Sequence, residues 1–238
     1  MHDRSPLVDW VSFGAVLFDL DGVITPTAVT HEHAWAALFE RWDFTASDYL
    51  TYVDGKPRYD GVQSFLQSRG VDLPWGDPSD QPGDDTVCAM GNRKNDMFNE
   101  VLARDGIAPY PGSMEVLDLL DAHDMPQAIV SSSKNARTVL AAAGLDDRFP
   151  VIVDGLTAAA EHLAGKPAPA MFHRATELLG VEPVRAVVVE DASSGVAAGA
   201  AGGFAMVLGI DRGGNRGALN QAGADLVVND LAETLRSP

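Results

Sequence analysis

Apolar residues follow two different rhythms along the chain. Compact apolar runs, typical of strands buried on both faces, occur at 15–20 and then repeatedly from 127 onward. Between 30 and 104, apolar residues instead recur every three or four positions, as in amphipathic helices. This pattern predicts strands at 15–20, 127–131, 151–153, 185–191, 205–210 and 225–230, and helices at 30–42, 45–53, 60–69, 86–104, 113–123, 135–143, 169–180 and 193–201, with a short terminal helix.

The order of these elements predicts the fold class. Strands that alternate with helices are typical of an α/β protein with a doubly wound parallel, Rossmann-like sheet. The helical block interrupts this alternation directly after the first strand. We therefore expect a core domain formed by 1–25 and 109–238, with an α-helical cap domain inserted at 26–108.

Composition and charge narrow the classes of function. The formal net charge is −17, and no basic stretch offsets it, which argues against nucleic acid and membrane surfaces as partners. No apolar run approaches the roughly 18 residues of a membrane span, and no signal peptide is evident. The single cysteine, Cys88, cannot form an internal disulfide, as in a reducing cytosol. We expect a cytoplasmic monomer that acts on a small molecule.

Polar residues stand where three predicted strands end. They are "DLD" at 19–21, "SSSKN" at 131–135 and "ED" at 190–191, and "GKPAP" at 165–169 precedes a helix. Ligands of doubly wound sheets bind beyond the carboxyl ends of the strands, so these groups are expected to converge there. Each group alone is compatible with a turn or a helix cap, whereas all of them at one edge indicate a site.

These groups can perform phosphoryl transfer. Carboxylates at 19, 190 and 191 would repel one another unless a divalent cation lay between them. Mg²⁺ suits this position, because its usual ligands are a few carboxylates, water molecules and the phosphate oxygens of a substrate. Lys166 and the hydroxyls of 131–133 are donors for a phosphate. A carboxylate can attack phosphorus to give an aspartyl-phosphate, while Asp21 protonates the leaving oxygen.

The four motifs "DLDGVITPT", "SSSKN", "GKPAP" and "VVVEDASSGVAAG" resemble, in order and context, those of haloacid dehalogenase-superfamily phosphotransferases. The resemblance covers nearly the whole chain and includes an inserted helical cap. Three further stretches, "THEHAW", "GKPRYDGV" and "GNRKNDMF", are similar to the β-phosphoglucomutase-like subfamily. The resemblance implies Mg²⁺-dependent interconversion of β-D-glucose 1-phosphate and glucose 6-phosphate through an aspartyl-phosphate and a sugar bisphosphate.

The resemblance also implies roles for individual residues. Asp19 would be the nucleophile and Asp21 the general acid and base, and both would bind the metal together with Glu190 and Asp191. Ser131 and Lys166 would hold the transferring phosphoryl group. The remaining matched residues would position Asp21 or contact the substrate, with Arg58 on its second phosphate: Thr27, His31, Arg58, Lys94, Ser133 and Asn135.

Alternatives to a mutase remain open at this point. A phosphatase of the same fold, acting on a sugar phosphate or another small phosphomonoester, needs the same carboxylates and metal. A dehalogenase would leave Asp21 without a purpose, and the intact Asp19, Asp21, Lys166 and Asp191 argue against a silent binding protein. The chain departs from the family at Pro26, where an acidic residue is usual. Pro26 either starts the first cap helix or changes the rate of cap closure.

Overall fold

The computed structural model describes residues 6–53 and 58–235, so the first three residues of the "GKPRYDGV" stretch, 55–57, lie outside the described residues. The chain divides into two compact units. One unit comprises Met1–Pro26 and Ile107–Pro238, and the other comprises Thr27–Gly106. These divisions lie within two residues of the boundaries expected from the sequence.

The first unit contains a six-stranded sheet in the order β3-β2-β1-β4-β5-β6, in which every neighbouring pair is parallel. The prediction of a doubly wound parallel sheet is confirmed. Strand order reverses between β1 and β4, so these two strands flank the crevice where such sheets bind ligands. The strands are β1 Ala15–Phe18, β2 Gln127–Val130, β3 Val151–Val153, β4 Ala186–Glu190, β5 Met206–Ile210 and β6 Leu226–Val228.

The apolar runs form strands because helices cover both faces of the sheet. All residues of β1, β2 and β4 are buried, so no polar position alternates with the apolar ones. Their side chains pack with those of the covering helices, for example Phe172 and Val196. The helices of this unit are α5 Pro111–Ala122, α6 Ala136–Ala142, α7 Gly155–Ala160, α8 Ala170–Leu179, α9 Ser193–Ala201 and α10 Arg216–Ala222.

The second unit is helical and has its own aromatic core. Trp35, Phe39 and Phe65 are buried together, and Trp42 packs against them. Phe39 and Phe65 lie 4.1 Å apart between ring centroids. Its helices are α1 Thr27–Leu38, α2 Ala46–Asp48, α3 Arg58–Ser68 and α4 Val87–Asp105, with a 3₁₀ turn at Glu40–Trp42 and a π-helical turn at Tyr49–Val53.

Some predicted helices differ from the observed ones. The helix expected at 30–42 is confirmed over 30–38, but α1 begins earlier, at Thr27 directly after Pro26, and a separate 3₁₀ turn follows its end at Leu38. The prediction also missed α7 and α10, while the short helix expected at the C-terminal end is a 3₁₀ helix at Leu231–Leu235. The Asp-Gly pair that opens α7 resembles a turn in sequence. In the structure, the Asp154 side chain caps this helix by accepting from the backbone N–H groups of two residues in its first turn.

No helix within the described residues is both long and apolar enough to cross a membrane.

Candidate active site

Three carboxylates meet at the reversal of strand order. Asp19 follows β1, Glu190 ends β4 and Asp191 follows it. The Asp19 backbone N–H donates to the Val189 carbonyl at 2.9 Å, which holds the two strand ends side by side. One oxygen from each of the three carboxylates lies within 4.8 Å of the others, a spacing suited to a shared metal ion.

Lys166 reaches two of these carboxylates from the loop before α8. Its Nζ donates to Asp19 Oδ1 at 2.5 Å, to Glu190 Oε1 at 2.6 Å and to the Val130 carbonyl at 2.8 Å. The Lys166 side chain is only 6% exposed. Burial alone would lower the pKa of Lys166, but the Asp19 and Glu190 carboxylates outweigh burial and raise that pKa above its ordinary value. Lys166 is therefore charged.

One ammonium does not balance three carboxylates. Burial, opposed by Lys166, raises the pKa of Glu190 to about 7. Burial and then the neighbouring Glu190, Asp19 and Asp21 carboxylates raise the pKa of Asp191 well above its ordinary value. In the described part of the chain, no lysine or arginine forms an ion pair with Asp191. This set of buried oxygen ligands with excess negative charge fits a hard divalent cation.

Two glycines allow the backbone to approach these carboxylates. Gly22 has φ +81°, and a Cβ there would overlap the Asp191 carboxylate. A Cβ at Gly195 would overlap the Glu190 carboxylate. The glycines of the "DLDG" and "DASSG" sequences therefore leave space for the carboxylate cluster.

The loop that carries Asp21 is held by several hydrogen bonds. The Gly22 N–H donates to the Thr25 carbonyl at 2.8 Å, and the Ser113 hydroxyl donates to the Val23 carbonyl at 2.6 Å. The Tyr110 N–H donates to the Ile24 carbonyl at 2.9 Å. These bonds fix Asp21 two residues beyond Asp19, at the same end of β1.

The serine loop follows β2, the neighbour of β1. Phe18 pairs with Ile129, so Ser131 lies in the segment just beyond the sheet edge, as Asp19 does. Ser131 is buried, and its hydroxyl accepts from the Ser133 N–H at 3.1 Å. The Ser133 hydroxyl accepts in turn from the N–H of Asn135, the residue before α6. These bonds give the loop a defined shape.

The helical unit brings the predicted basic residues of the cap together. Lys94 Nζ lies 2.6 Å from His31 Nδ1, and the Lys94 side chain lies between the rings of Trp35 and Phe98, 5.1 Å from each centroid. His31 stacks on Phe98 at 4.2 Å. Arg58 Nη2 donates to Asn95 Oδ1 at 2.8 Å. Thr27 is buried at the start of α1, one turn before His31.

This environment keeps His31 neutral. Burial, followed by the positive charges of Lys94 and Arg58, lowers the pKa of His31 to about 3. A histidine whose pKa is depressed in the folded protein stabilises the fold above its ordinary value of 6.5. That contribution is lost as pH falls towards 3. The neutral imidazole can accept a hydrogen bond from Lys94 at Nδ1.

Replacing Lys94 with methionine is expected to raise the pKa of His31, because the nearest positive charge is removed. The value should stay below 6.5, since burial is the larger cause of the shift. An NMR titration of the imidazole Cε1–H signals, assigned with His31→Gln, measures the change. Arg93→Met, which removes an exposed cation from the same helix, is the matched control. An unchanged His31 titration in Lys94→Met would contradict the proposed electrostatic contact.

Within each unit, the predicted site residues of that unit can be located separately. The core unit brings Asp19, Lys166, Glu190 and Asp191 into contact, and it holds Asp21 and the serine loop at the same sheet edge. The helical unit brings Lys94 against His31, and Arg58 hydrogen-bonds Asn95 in the same unit.

Sequence reasoning missed a further polar strand end, "DRGGNRG" after β5. There, Arg212 and Asn215 hydrogen-bond the backbones of the two carboxylate loops. The only available signal was its position after an apolar run.

The family model for haloacid dehalogenase-like hydrolases matches residues 13–203 of this chain. The match spans the carboxylate loops, Lys166 and the whole helical unit. The chain therefore belongs to the haloacid dehalogenase-like hydrolase family.

Its relatives define the branch of that family. A β-phosphoglucomutase from Mycobacterium tuberculosis is 51% identical, over 93% of this chain and 91% of the relative. A β-phosphoglucomutase from Bacillus subtilis is 32% identical, over 92% and 90% of the two chains. The crystal structure of β-phosphoglucomutase from Clostridium difficile aligns with a TM-score of 0.72 at 26% identity, covering 93% of this chain and 92% of that one. The chain is a member of the β-phosphoglucomutase-like branch.

Proposed function

We propose that this protein is a Mg²⁺-dependent β-phosphoglucomutase, which converts β-D-glucose 1-phosphate into glucose 6-phosphate through a sugar bisphosphate. The observation that carries the proposal is the carboxylate cluster with Lys166 at the strand reversal, in a chain 51% identical to relatives of that name. We also infer a cytoplasmic monomer, in keeping with a buried, unpaired Cys88 and a phosphorylated substrate.

Asp19 is the proposed nucleophile. Its carboxylate attacks phosphorus of the bound phosphate, the bond to the sugar oxygen breaks, and an aspartyl-phosphate forms. Asp21 gives a proton to the departing sugar oxygen and takes one back when a sugar hydroxyl attacks the aspartyl-phosphate. Lys166, held 2.5 Å from Asp19, and the buried Ser131 hydroxyl orient the phosphoryl oxygens.

Mg²⁺ would be held by the side chains of Asp19, Glu190 and Asp191 and by the backbone carbonyl of Asp21. When bound, it neutralises charge on the phosphoryl oxygens. The pair of raised pKa values at Glu190 and Asp191 supports this assignment, since a cation is needed to keep both carboxylates ionised at neutral pH.

The basic residues of the helical unit are proposed to bind the rest of the substrate. A mutase must hold a second phosphate while the first reacts, and an arginine suits that task because its planar fork binds phosphate through two parallel hydrogen bonds. Arg58, with its Nη2 directed by Asn95, is assigned to this phosphate. Thr27, His31 and Lys94 are assigned to positioning Asp21 and the sugar, and Ser133 and Asn135 to substrate contacts from the core unit.

One assay with two readouts tests the proposal. Purified protein with Mg²⁺, β-glucose 1-phosphate and a trace of glucose bisphosphate is followed for glucose 6-phosphate and inorganic phosphate together. A mutase forms glucose 6-phosphate and releases little phosphate. Release of phosphate without isomerisation would instead identify the same carboxylates as those of a phosphatase, and would overturn the mutase proposal.

Replacing Arg58 with alanine is expected to raise the KM for the sugar bisphosphate about 10- to 100-fold, the equivalent of one or two charge-assisted hydrogen bonds. The phosphoryl-transfer residues are untouched, so kcat should fall less than KM rises. Steady-state kinetics of both substrates measure the split. Arg93→Ala, on the exposed face of α4, is the control. An equal KM for Arg58→Ala and Arg93→Ala would refute the assignment of Arg58.

A further inference from the structure

We infer that Arg212 and Asn215, in the segment between β5 and α10, are positioning residues for two different parts of the active site. Arg212 holds the loop that carries Asp21, and Asn215 holds the loop that carries Asp191. The inference rests on the proposed function for the roles of those two carboxylates. Neither residue touches the substrate in our assignment.

Arg212 is fixed on several sides. Its Nε donates to the Gly22 carbonyl at 2.8 Å, one residue beyond Asp21. Its guanidinium lies 3.6 Å from the centroid of the Tyr110 ring, and Nη1 is 3.4 Å from Asp230 Oδ2. The stacking and the ion pair fix the plane of the guanidinium, so that Nε points at one carbonyl oxygen.

The contact with Gly22 matters because of where that residue lies. Gly22 has a positive φ of +81° and packs directly against the Asp191 carboxylate. If the peptide group between Gly22 and Val23 rotated, Asp21 would therefore move or the loop would clash with Asp191. Arg212 and Ser113, which lie far from this loop in the sequence, donate from their side chains to its carbonyls at Gly22 and Val23 respectively.

Asn215 makes the corresponding contact with the other loop. Its Nδ2 donates to the Asp191 carbonyl at 2.9 Å. The Glu190 carboxylate holds the same loop from the opposite direction, by accepting from the Asp191 N–H at 3.1 Å. The backbone of Asp191 is thus bonded at both its N–H and its C=O, which sets the direction of its carboxylate.

The segment that carries Arg212 and Asn215 is itself braced. The Asp211 carboxylate accepts from the backbone N–H groups of Gly214 at 2.6 Å and Asn215 at 2.9 Å. The Asp211 N–H donates to the Val228 carbonyl at the end of β6. Because β5 lies beside β4, and β4 beside β1, this braced turn can reach both loops from one end of the sheet.

The two contacts predict separable defects. Arg212→Gln should lower kcat about 10- to 100-fold, the usual cost of losing such an outer contact, with KM and Mg²⁺ affinity changed less than twofold. Asn215→Leu keeps the volume but removes the donor, and should weaken Mg²⁺ binding about 10-fold while kcat at saturating Mg²⁺ stays near that of the unchanged protein. Arg212→Lys should recover part of kcat, since an ammonium can still donate to Gly22.

The experiment combines steady-state kinetics with calorimetric titration of Mg²⁺ into the substrate-free protein. Arg174→Gln is the matched control, because Arg174 forms ion pairs with Glu161 and Glu177 in the same unit and does not hydrogen-bond Gly22 or Asp191. Thermal melts check that each variant is folded. If one does not fold, Asn215→Ser or Arg212→Lys decides the same question.

The inference is overturned if the Arg212 and Asn215 variants change the same parameter to the same extent, or change no parameter more than Arg174→Gln does. Its failure can be distinguished from failure of the proposed function. If the unchanged protein hydrolyses phosphomonoesters but does not isomerise glucose phosphate, the mutase proposal fails. The inference about Asn215 can still be tested in that case, because the Mg²⁺ titration of Asn215→Leu needs no substrate. For Arg212→Gln, kcat is then measured for phosphomonoester hydrolysis.

Discussion

Asp19→Asn is expected to lower kcat by about 10⁴- to 10⁶-fold, as removal of a covalent nucleophile does in other enzymes. The amide keeps the size of the carboxylate and can still accept a hydrogen bond from Lys166, so the fold should persist. Phosphorus NMR or intact mass of the protein with bisphosphate should show no covalent phosphate on the variant, whereas the unchanged protein should be phosphorylated.

Asp19→Ala serves as a second variant that cannot revert to aspartate by deamidation. Asp147→Asn, at an exposed position of the same unit, is the control for the same chemical change away from the site. Residual activity of Asp19→Ala above one per cent would show that Asp19 is not the nucleophile, whichever substrate is used.

Lys166→Met is expected to lower kcat about 10²- to 10³-fold and to destabilise the metal-free protein by about 3–5 kcal/mol. The first loss follows from removing a donor to the reacting group. The second follows from leaving the buried Asp19 and Glu190 carboxylates without their ion-pair partner. Mg²⁺ should raise the melting temperature more in the variant than in the unchanged protein, because it supplies the missing positive charge.

The pH dependence of this destabilisation has a defined sign. Lys166 lowers the pKa of Glu190, so its removal moves that pKa above the present value of about 7. A carboxyl group with a raised pKa in the folded state stabilises the fold at low pH, and this contribution is lost as pH rises through the folded value. The difference in melting temperature should therefore be small near pH 4.5 and largest above pH 7.

Melts in a metal chelator between pH 4.5 and 8 measure this difference. Lys134→Met, at an exposed lysine of the serine loop, is the matched control and should show no such pH dependence. A deficit in Lys166→Met that is constant across this range would mean that the carboxylates are not coupled to Lys166.

The sheet and its site could be predicted from the sequence for one physical reason. In a parallel sheet, every strand ends at the same edge, so polar residues directly after buried apolar runs must gather there. Asp19, Ser131, Glu190 and Asp191 were all found in this way. Lys166 was predicted as a site residue from the "GKPAP" motif, although 147 positions separate it from Asp19 in the sequence.

The cap residues were harder to predict from local pattern. Charged residues on helices usually face water, so the spacing of apolar residues in α4 does not distinguish Lys94 from Arg93. In the structure, Lys94 is only 4% exposed and lies between two aromatic rings beside His31. Only the similarity of the cap stretches to known relatives pointed to it.

The sequence by itself determined the class of the fold, the strand ends that carry the carboxylates, and the chemistry those groups can perform. The spacing of apolar residues along the chain and the order of the motifs encode these features. The tertiary structure alone decided which charges are paired, which backbone carbonyls are held, and that Arg212 and Asn215 reach both carboxylate loops. Arg212 is 190 positions from its partner Gly22, and Asn215 is 24 positions from its partner Asp191. Such contacts exist only once the sheet order β1-β4-β5 brings the loops together.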